Sequence, residues 1–189
     1  MAIVPLPNRD YFSSSGFKPD YRYTEKKKIK KVALVGKGVT FDTGGYCVKP
    51  AQGMTEMKAD MSGAAVVAGT LLAAAKARLP IEILGIIPAA ENMISGDAMR
   101  PGDVVKTASG KTIEVGHTDA EGRMILADAL DYASKQKPDE IIDFATLTGA
   151  CVVALGQSAA GLFTKYDKIA EKLYNTGMKT YERVWRLPM

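Results

Sequence analysis

The stretch His117-Thr118-Asp119-Ala120-Glu121-Gly122-Arg123-Met124 places two carboxylates and a guanidinium within five residues. It follows a predicted strand at residues 111–115, and a strand end that presents Asp119 and Glu121 on one side offers the oxygen ligands that divalent cations prefer. Arg123 beside them is suited to hold an anion through a planar, two-pronged contact. Taken alone, such a motif is also typical of a solvated acidic turn before a helix.

A second block of reactive side chains lies upstream. It runs Val35-Gly36-Lys37-Gly38-Val39-Thr40-Phe41-Asp42-Thr43-Gly44-Gly45-Tyr46-Cys47-Val48-Lys49, and Met57-Lys58-Ala59-Asp60-Met61 follows it. These segments add two lysines and two aspartates to the first motif, namely Lys37, Asp42, Lys49 and Asp60. Nucleotide binding is a weak interpretation of the glycine-rich part, because it lacks the G-x-x-x-x-G-K-[ST] order and Asp42 would oppose a phosphate.

Together the two blocks resemble the leucyl aminopeptidase family, the cytosolic aminopeptidases that use two metal ions. The resemblance rests on G-K-G-x-T-F-D-[ST]-G-G at residues 36–45 and T-D-A-E-G-R at residues 118–123, and it extends from about Lys31 to Leu187 without an evident gap. It implies an enzyme that hydrolyses the N-terminal residue, preferably leucine or a similar apolar residue, from peptides.

The resemblance implies a metal-binding role for five residues. Asp42 and Glu121 would bridge two divalent ions, Mn²⁺ or Zn²⁺. Asp60 and Lys37 would complete the shell of one ion, and Asp119 that of the other. Four neighbouring carboxylates repel one another unless cations neutralise them, which favours metal binding. A ligand lysine must be neutral, as nearby cations would enforce by depressing its pKa, and from the residues alone a salt bridge to a site carboxylate is the alternative for Lys37.

The resemblance also implies catalytic and substrate-binding residues. Lys49 would stabilise the oxyanion at the scissile carbonyl, and Arg123 would hold a bicarbonate ion that serves as general base. The single histidine and the committed carboxylates leave no obvious side chain for that base. A pocket suited to a medium-sized apolar side chain would be lined by Met57, Thr146 and Gly149, and Ala120 would lie near the next subsite. His117 stands where the family usually has asparagine, and we interpret it as a hydrogen-bonding substitute rather than a metal ligand or base.

Strand and helix patterns alternate from Lys31 onward. Buried strands are predicted at residues 32–35, 81–87 and 141–144, helices at 60–77 and 122–136, and a hairpin at 104–106 and 112–115. A glycine-rich loop is predicted to run to residue 53. The first helix is expected to bury the face formed by Ala64, Ala65, Ala68, Leu71, Leu72 and Ala75. A short helix, a strand at 161–164 and a helix at 167–176 complete the pattern.

This alternation predicts an α/β fold in which a mixed central β-sheet is flanked by helices on both faces. In such sheets ligands bind at the carboxyl ends of strands. Residues 36–42, 117–123 and 146–149 each follow a predicted strand, so their side chains are expected to converge.

Composition limits the remaining classes of function. The chain has 189 residues with 47% hydrophobic and 24% charged residues, typical of a globular protein. Its net charge of +4 comes largely from a lysine run at 26–31 without interleaved aromatic residues, so nucleic-acid binding is not expected. Cys47 and Cys151 lack CxxC spacing, which favours reduced thiols and a cytoplasmic location. No signal peptide or membrane span is evident.

Residues 1–24 lack periodicity and are predicted to form an unmatched, poorly ordered lead-in, and residues 25–189 a partial leucyl aminopeptidase catalytic domain. The family has an additional N-terminal domain and a longer catalytic domain, and it assembles as a homo-hexamer. A catalytic-core fragment is therefore expected, either active or a non-catalytic remnant that binds metals or partner subunits. The intact site residues favour activity and the shorter length favours the remnant. DNA binding, which some members of the family show, is a third and less favoured interpretation.

Overall fold

The structure, a computed structural model, describes residues 29–189 and the strand Ala2–Pro5. The strands are β1 (Ala2–Pro5), β2 (Lys31–Gly36), β3 (Gly38–Asp42), β4 (Glu82–Ile87), β5 (Ala89–Asn92), β6 (Val104–Lys106), β7 (Thr112–Glu114), β8 (Glu140–Phe144), β9 (Ala160–Leu162) and β10 (Val184–Arg186). The α-helices are α1 (Ala51–Met54), α2 (Ser62–Lys76), α3 (Glu121–Lys135), α4 (Ala150–Leu155) and α5 (Asp167–Thr180), and 3₁₀ turns lie at Met57–Ala59 and Thr118–Ala120. Within these described ranges, no helix has the length and hydropathy needed to cross a membrane.

The chain divides into two compact units, Met1–Thr146 and Leu147–Met189. The first is built on a four-stranded sheet in the order β1-β4-β2-β8. β2 pairs in parallel with β4 and β8, whereas β1 is antiparallel to β4, so the predicted mixed sheet is confirmed. Apart from β1, the predicted lead-in at residues 1–24 lies outside the described residues.

Helices cover both faces of this sheet because alternate residues of β2 point to opposite sides. One face packs against α2 in a cluster of Val32, Leu34, Val67, Leu71, Ala74 and Ile83. The other packs against α3 in a cluster of Ala33, Val35, Ile86, Leu126, Ala129 and Ala133. Burying each large apolar side chain contributes on the order of 1.5–3 kcal/mol, so these two layers form the core that holds the site in place.

Three details of the prediction are wrong. The glycine-rich segment is not a continuous loop, since it contains α1 and the strand β3, whose β-branched and aromatic residues pair with β5. The buried face of α2 excludes Ala65, Ala68 and Leu72, which are exposed. β8 is only half-buried, with Ile141 39% exposed, because it is the outermost strand of this sheet.

The smaller elements agree with the prediction. β6 and β7 form the antiparallel hairpin expected around Ser109-Gly110, and Gly110 has a positive φ of 85°. In the second unit, α4, β9 and α5 occur where they were predicted, although α5 continues to Thr180. There β9 pairs in parallel with β10, and Trp185 packs edge-on against Tyr174 of α5 with ring centroids 5.9 Å apart.

Gly63 lies where α2 contacts the ends of β2 and β8. A Cβ atom there would lie 2.1 Å from the Phe144 carbonyl oxygen and 2.8 Å from the Lys37 backbone nitrogen, which are hydrogen-bonded to each other. Because neither backbone atom can move without breaking that bond, we expect Gly63→Ala to lower the free energy of unfolding by about 3 kcal/mol. Chemical denaturation followed by circular dichroism measures the change.

Gly69 in the exposed part of the same helix provides the matched control. Nothing lies within 4 Å of a Cβ atom at this position. Gly69→Ala is therefore expected to raise the free energy of unfolding by about 0.5–1 kcal/mol, because alanine loses less conformational entropy in a helix. If both substitutions had the same effect, the close approach at Gly63 would not limit stability.

Candidate functional site

Side chains from distant parts of the sequence meet at the carboxyl ends of the parallel strands. Lys37 follows β2 directly, Asp42 is the last residue of β3, and Asn92 is the last residue of β5. Glu121 begins α3, and Asp119 lies in the 3₁₀ turn before it. The carboxyl edge of a parallel sheet is the usual location for ligand binding, as the sequence pattern predicted.

Asp42, Asp119 and Glu121 form a cluster of three carboxylates. One oxygen of each lies within 4.8 Å of the other two. Asp42 and Glu121 are buried, whereas Asp119 is partly exposed. Burial raises the pKa of Glu121 above its usual value; the Lys37 ammonium opposes this shift and the Asp42 carboxylate adds to it. Such a concentration of negative charge is suited to a divalent cation.

Lys37 links Asp60 to this cluster. Its Nζ lies 2.8 Å from Asp60 Oδ1 and 2.8 Å from Glu121 Oε1, and its side chain is only 4% exposed. The same nitrogen donates a hydrogen bond to the Thr146 carbonyl at 3.1 Å. A Cβ atom at Gly122 would lie 2.7 Å from Lys37 Cε, so a glycine there leaves room for the lysine. This is the salt bridge that the residues alone suggested as the alternative to a ligand lysine.

The two oxygens of Asp60 differ in their contacts. Oδ1 accepts hydrogen bonds from Lys37 Nζ at 2.8 Å and from Thr146 Oγ1 at 2.7 Å. Oδ2 is buried and has no hydrogen-bond partner among the described residues. Leaving a buried carboxylate oxygen unpartnered costs free energy that a bound cation would remove. The all-carboxylate donor set and this unpartnered oxygen therefore fit a hard divalent metal ion.

Lys49 contacts the other side of the cluster. Its Nζ lies 3.0 Å from Asp42 Oδ2 and 2.5 Å from Asp119 Oδ1, the second contact being an ion pair without hydrogen-bond alignment. Burial lowers the pKa of Lys49, but the carboxylates of Asp119 and Asp42 outweigh that effect and raise the pKa above its usual value. Lys49 therefore stays cationic. Two lysines balance only two of the four carboxylates at the site.

Thr118 holds the glycine-rich turn against the acidic motif. Its fully buried hydroxyl donates to the Gly44 carbonyl at 2.6 Å and accepts from the Cys47 backbone nitrogen at 2.8 Å. Gly44 has a φ of 86°, and a Cβ atom there would lie 2.5 Å from the Cys47 carbonyl oxygen, so the turn requires glycine. This turn brings Lys49 within reach of Asp119.

Asn92 is a site residue that the sequence analysis did not single out. Its buried side-chain amide donates to Asp42 Oδ1 at 2.8 Å and to the Thr118 carbonyl at 3.0 Å, and it lies 3.5 Å from Glu121 Oε2. A polar amide at the carboxyl end of a strand was the only available signal. Nothing in its spacing identifies its partners.

The remaining predicted residues lie around these contacts. Arg123 is exposed in the first turn of α3 and makes no hydrogen bond or ion pair within the described part of the chain. Met57 and Ala120 are partly buried in the two 3₁₀ turns. Gly149 precedes α4 in the second unit and is exposed there.

His117 caps the 3₁₀ turn of the acidic motif. Its exposed imidazole accepts a hydrogen bond at Nδ1 from the backbone nitrogen of Asp119 at 3.2 Å. The contact resembles the capping bond that an asparagine side chain forms at the start of a helical turn.

Comparisons with known proteins agree on one family. The family model described as "Cytosol aminopeptidase family, catalytic domain" matches residues 18–189. The probable cytosol aminopeptidase of Chlorobaculum tepidum is 61% identical over 169 residues, which are 88% of this chain and 34% of that protein. The chain thus spans about a third of the length of this curated relative.

Solved structures share the fold. The leucyl aminopeptidase of Trypanosoma brucei, in complex with bestatin, has a TM-score of 0.84 and 38% identity, and the match covers 87% of this chain and 32% of that one. The bottromycin maturation enzyme BotP, in complex with Mn, has a TM-score of 0.80 and 45% identity, with 87% of this chain and 37% of that one covered.

Proposed function

Because the chain belongs to the cytosol aminopeptidase family, we propose that it is a two-metal aminopeptidase that removes the N-terminal residue, preferably leucine or a similar apolar residue, from peptides. The observation that carries this proposal is the carboxylate cluster, in which oxygens of Asp42, Asp119 and Glu121 lie within 4.8 Å of one another. The curated relatives are called cytosol aminopeptidases, which supports a cytoplasmic location. By family resemblance, a homo-hexamer is the proposed assembly.

Five residues are the proposed metal ligands. Asp42 and Glu121 would bridge the two ions, Asp60 and Lys37 would complete one shell, and Asp119 the other. The unpartnered Oδ2 of Asp60 and the surplus of carboxylates over lysines support this assignment. Mn²⁺ is the first choice of ion because BotP was solved with Mn, and Zn²⁺ is the alternative.

When bound, such ions supply the Lewis acidity that polarises a peptide carbonyl, the activation of a water, and a coordination position for a free α-amine. The protein's own residues would stabilise the developing negative charge and bind the general base. Lys49 is cationic beside Asp42 and Asp119, and its ammonium would stabilise negative charge developing on a substrate carbonyl oxygen. The exposed guanidinium of Arg123 is free to bind bicarbonate, the proposed general base, through a two-pronged contact.

The family resemblance assigns substrate selection to four residues. Met57, Thr146 and Gly149 would line the pocket for the N-terminal residue, and Ala120 would lie near the next subsite. Thr146 also touches the proposed metal site, since its hydroxyl donates to Asp60 Oδ1 at 2.7 Å. A residue of the proposed pocket would therefore be hydrogen-bonded to a proposed metal ligand.

Hydrolysis of leucine p-nitroanilide by the purified chain, with Mn²⁺ and bicarbonate, tests this function. We expect turnover that a chelator abolishes and Mn²⁺ restores, and we expect none with N-acetyl-leucine p-nitroanilide, because an acetylated amine cannot coordinate a metal ion. Equal hydrolysis of the free and acetylated substrates would contradict an aminopeptidase. Stoichiometric Mn²⁺ binding without turnover would identify the alternative, a non-catalytic metal-binding remnant.

A further inference from the structure

We propose that Asn92 is a positioning residue that holds Asp42 and Glu121 in the geometry needed to bind two metal ions together. The inference rests on the proposed function, because these two residues are its bridging ligands. Asn92 is only 7% exposed, and its amide lies 2.8 Å from Asp42 Oδ1 and 3.5 Å from Glu121 Oε2. Among the described residues it is the uncharged side chain that reaches both carboxylates.

The backbone of Asn92 is itself fixed. Asn92 lies opposite Asp42 in the parallel pairing of β3 with β5. Its carbonyl accepts hydrogen bonds from both the backbone nitrogen and the hydroxyl of Thr43 at 2.8 Å. A Cβ atom at Gly45 would lie 3.2 Å from Asn92 Oδ1, so the glycine-rich turn folds closely around this side chain. The backbone of Asn92 is therefore anchored by the pairing of β3 with β5 and by Thr43.

The two oxygens of Asp42 have different partners. Asp42 Oδ1 accepts from the Asn92 amide and from the Gly44 backbone nitrogen, both at 2.8 Å. Oδ2 is left to face Lys49 at 3.0 Å. The same amide nitrogen donates to the Thr118 carbonyl at 3.0 Å, in the turn that precedes Glu121, and lies 3.5 Å from Glu121 Oε2. One side chain thus ties the end of β3 to the start of α3.

An amide is suited to this task for an electrostatic reason. The positive end of its dipole faces two carboxylates that repel each other, yet it brings no net charge. Lys49 also contacts Asp42, but its ammonium group carries a positive charge that would repel an incoming cation. Outer hydrogen bonds that orient metal ligands typically contribute about 10- to 100-fold in metal affinity or activity.

Mn²⁺ titration of the purified chain and of Asn92→Leu, by calorimetry and electron paramagnetic resonance, tests the inference. Leucine keeps the branched shape and the number of side-chain heavy atoms but removes the donors. We expect the affinity for the weaker of the two Mn²⁺ ions to fall by about 10- to 100-fold and the spectrum to change from a coupled pair to isolated ions. Thr40→Val is the matched control, since it removes a hydrogen bond of 3.3 Å from Thr40 to the Ala90 carbonyl in the same strand pair.

The outcomes separate the inference from the proposed function. Folded Asn92→Leu with unchanged Mn²⁺ affinities and an unchanged spectrum would overturn the inference, and a lower Tm alone would indicate a packing role only. A wild-type chain that binds no Mn²⁺ would overturn the proposed function and the inference with it. If Asn92→Leu does not fold, Asn92→Ala also removes both amide donors in a smaller side chain, and undiminished binding by that variant would equally refute the positioning role.

Discussion

Glu121→Ala is expected to reduce the rate of leucine p-nitroanilide hydrolysis by about a thousandfold, equivalent to about 4 kcal/mol of barrier. Glu121 is 5% exposed and its carboxylate contacts both Lys37 and the Asn92 amide. Its oxygen lies within 4.8 Å of oxygens from Asp42 and Asp119, so its loss removes the centre of the proposed metal site. Steady-state rates at saturating Mn²⁺ provide the measurement.

Two further variants separate charge from shape. Glu121→Gln keeps the size and one acceptor oxygen but removes the negative charge, and we expect it to be nearly as inactive as Glu121→Ala. Glu114→Ala changes an exposed glutamate on β7 and should leave the rate unchanged. If Glu121→Gln retained more than about a tenth of the activity, a difference of only about 1.4 kcal/mol in barrier, its carboxylate would not be a metal ligand.

Proton competition offers an independent check on the same carboxylate. Burial raises the pKa of Glu121, so its charged form is lost at a higher pH than that of an exposed glutamate. Protons and metal ions compete for this carboxylate. Mn²⁺ affinity is therefore expected to fall as the pH is lowered through the raised pKa of Glu121.

Lys37→Met is expected to destabilise the metal-free protein by about 3–5 kcal/mol, because it leaves two buried carboxylates without their counter-ion. Lys37 Nζ lies 2.8 Å from both Asp60 Oδ1 and Glu121 Oε1, and all three side chains are buried. At about 2–4 °C for each kcal/mol in a chain of this size, Tm should fall by roughly 6–20 °C. Differential scanning calorimetry in the presence of a chelator measures it.

Lys30→Met is the matched control for this prediction. Lys30 pairs with Glu140 at 2.5 Å, but its side chain is 42% exposed, and surface pairs contribute at most about 1 kcal/mol.

Mn²⁺ titration of Lys37→Met also separates the two roles considered for Lys37. Weaker binding than wild type would support a ligand, and tighter binding a counter-ion that competes with metal. A Tm equal to that of wild type would refute the stabilising ion pair.

Much of the fold follows from local patterns in the sequence. Leu126, Ala129 and Ala133 recur at helical spacing, and α3, close to the predicted helix, buries this stripe against the sheet. The alternating contacts of β2 likewise follow from the period of a strand. The buried face of α2 could not be predicted in the same way, because apolar and small residues occur on nearly all sides of that helix and only packing selects among them.

The sequence by itself determined the family that this chain resembles and the candidate site residues. Asp42, Asp119 and Glu121 lie in short motifs whose resemblance to that family predicts a site for divalent cations. The tertiary structure decided how these side chains are arranged, including the pairing of Lys37 with Asp60 and Glu121 and that of Lys49 with Asp42 and Asp119. It also revealed Asn92, whose contact with Asp42 joins residues 50 positions apart. Such contacts depend on the register of β3 against β5, and register is set by the packing of whole strands rather than by any local pattern.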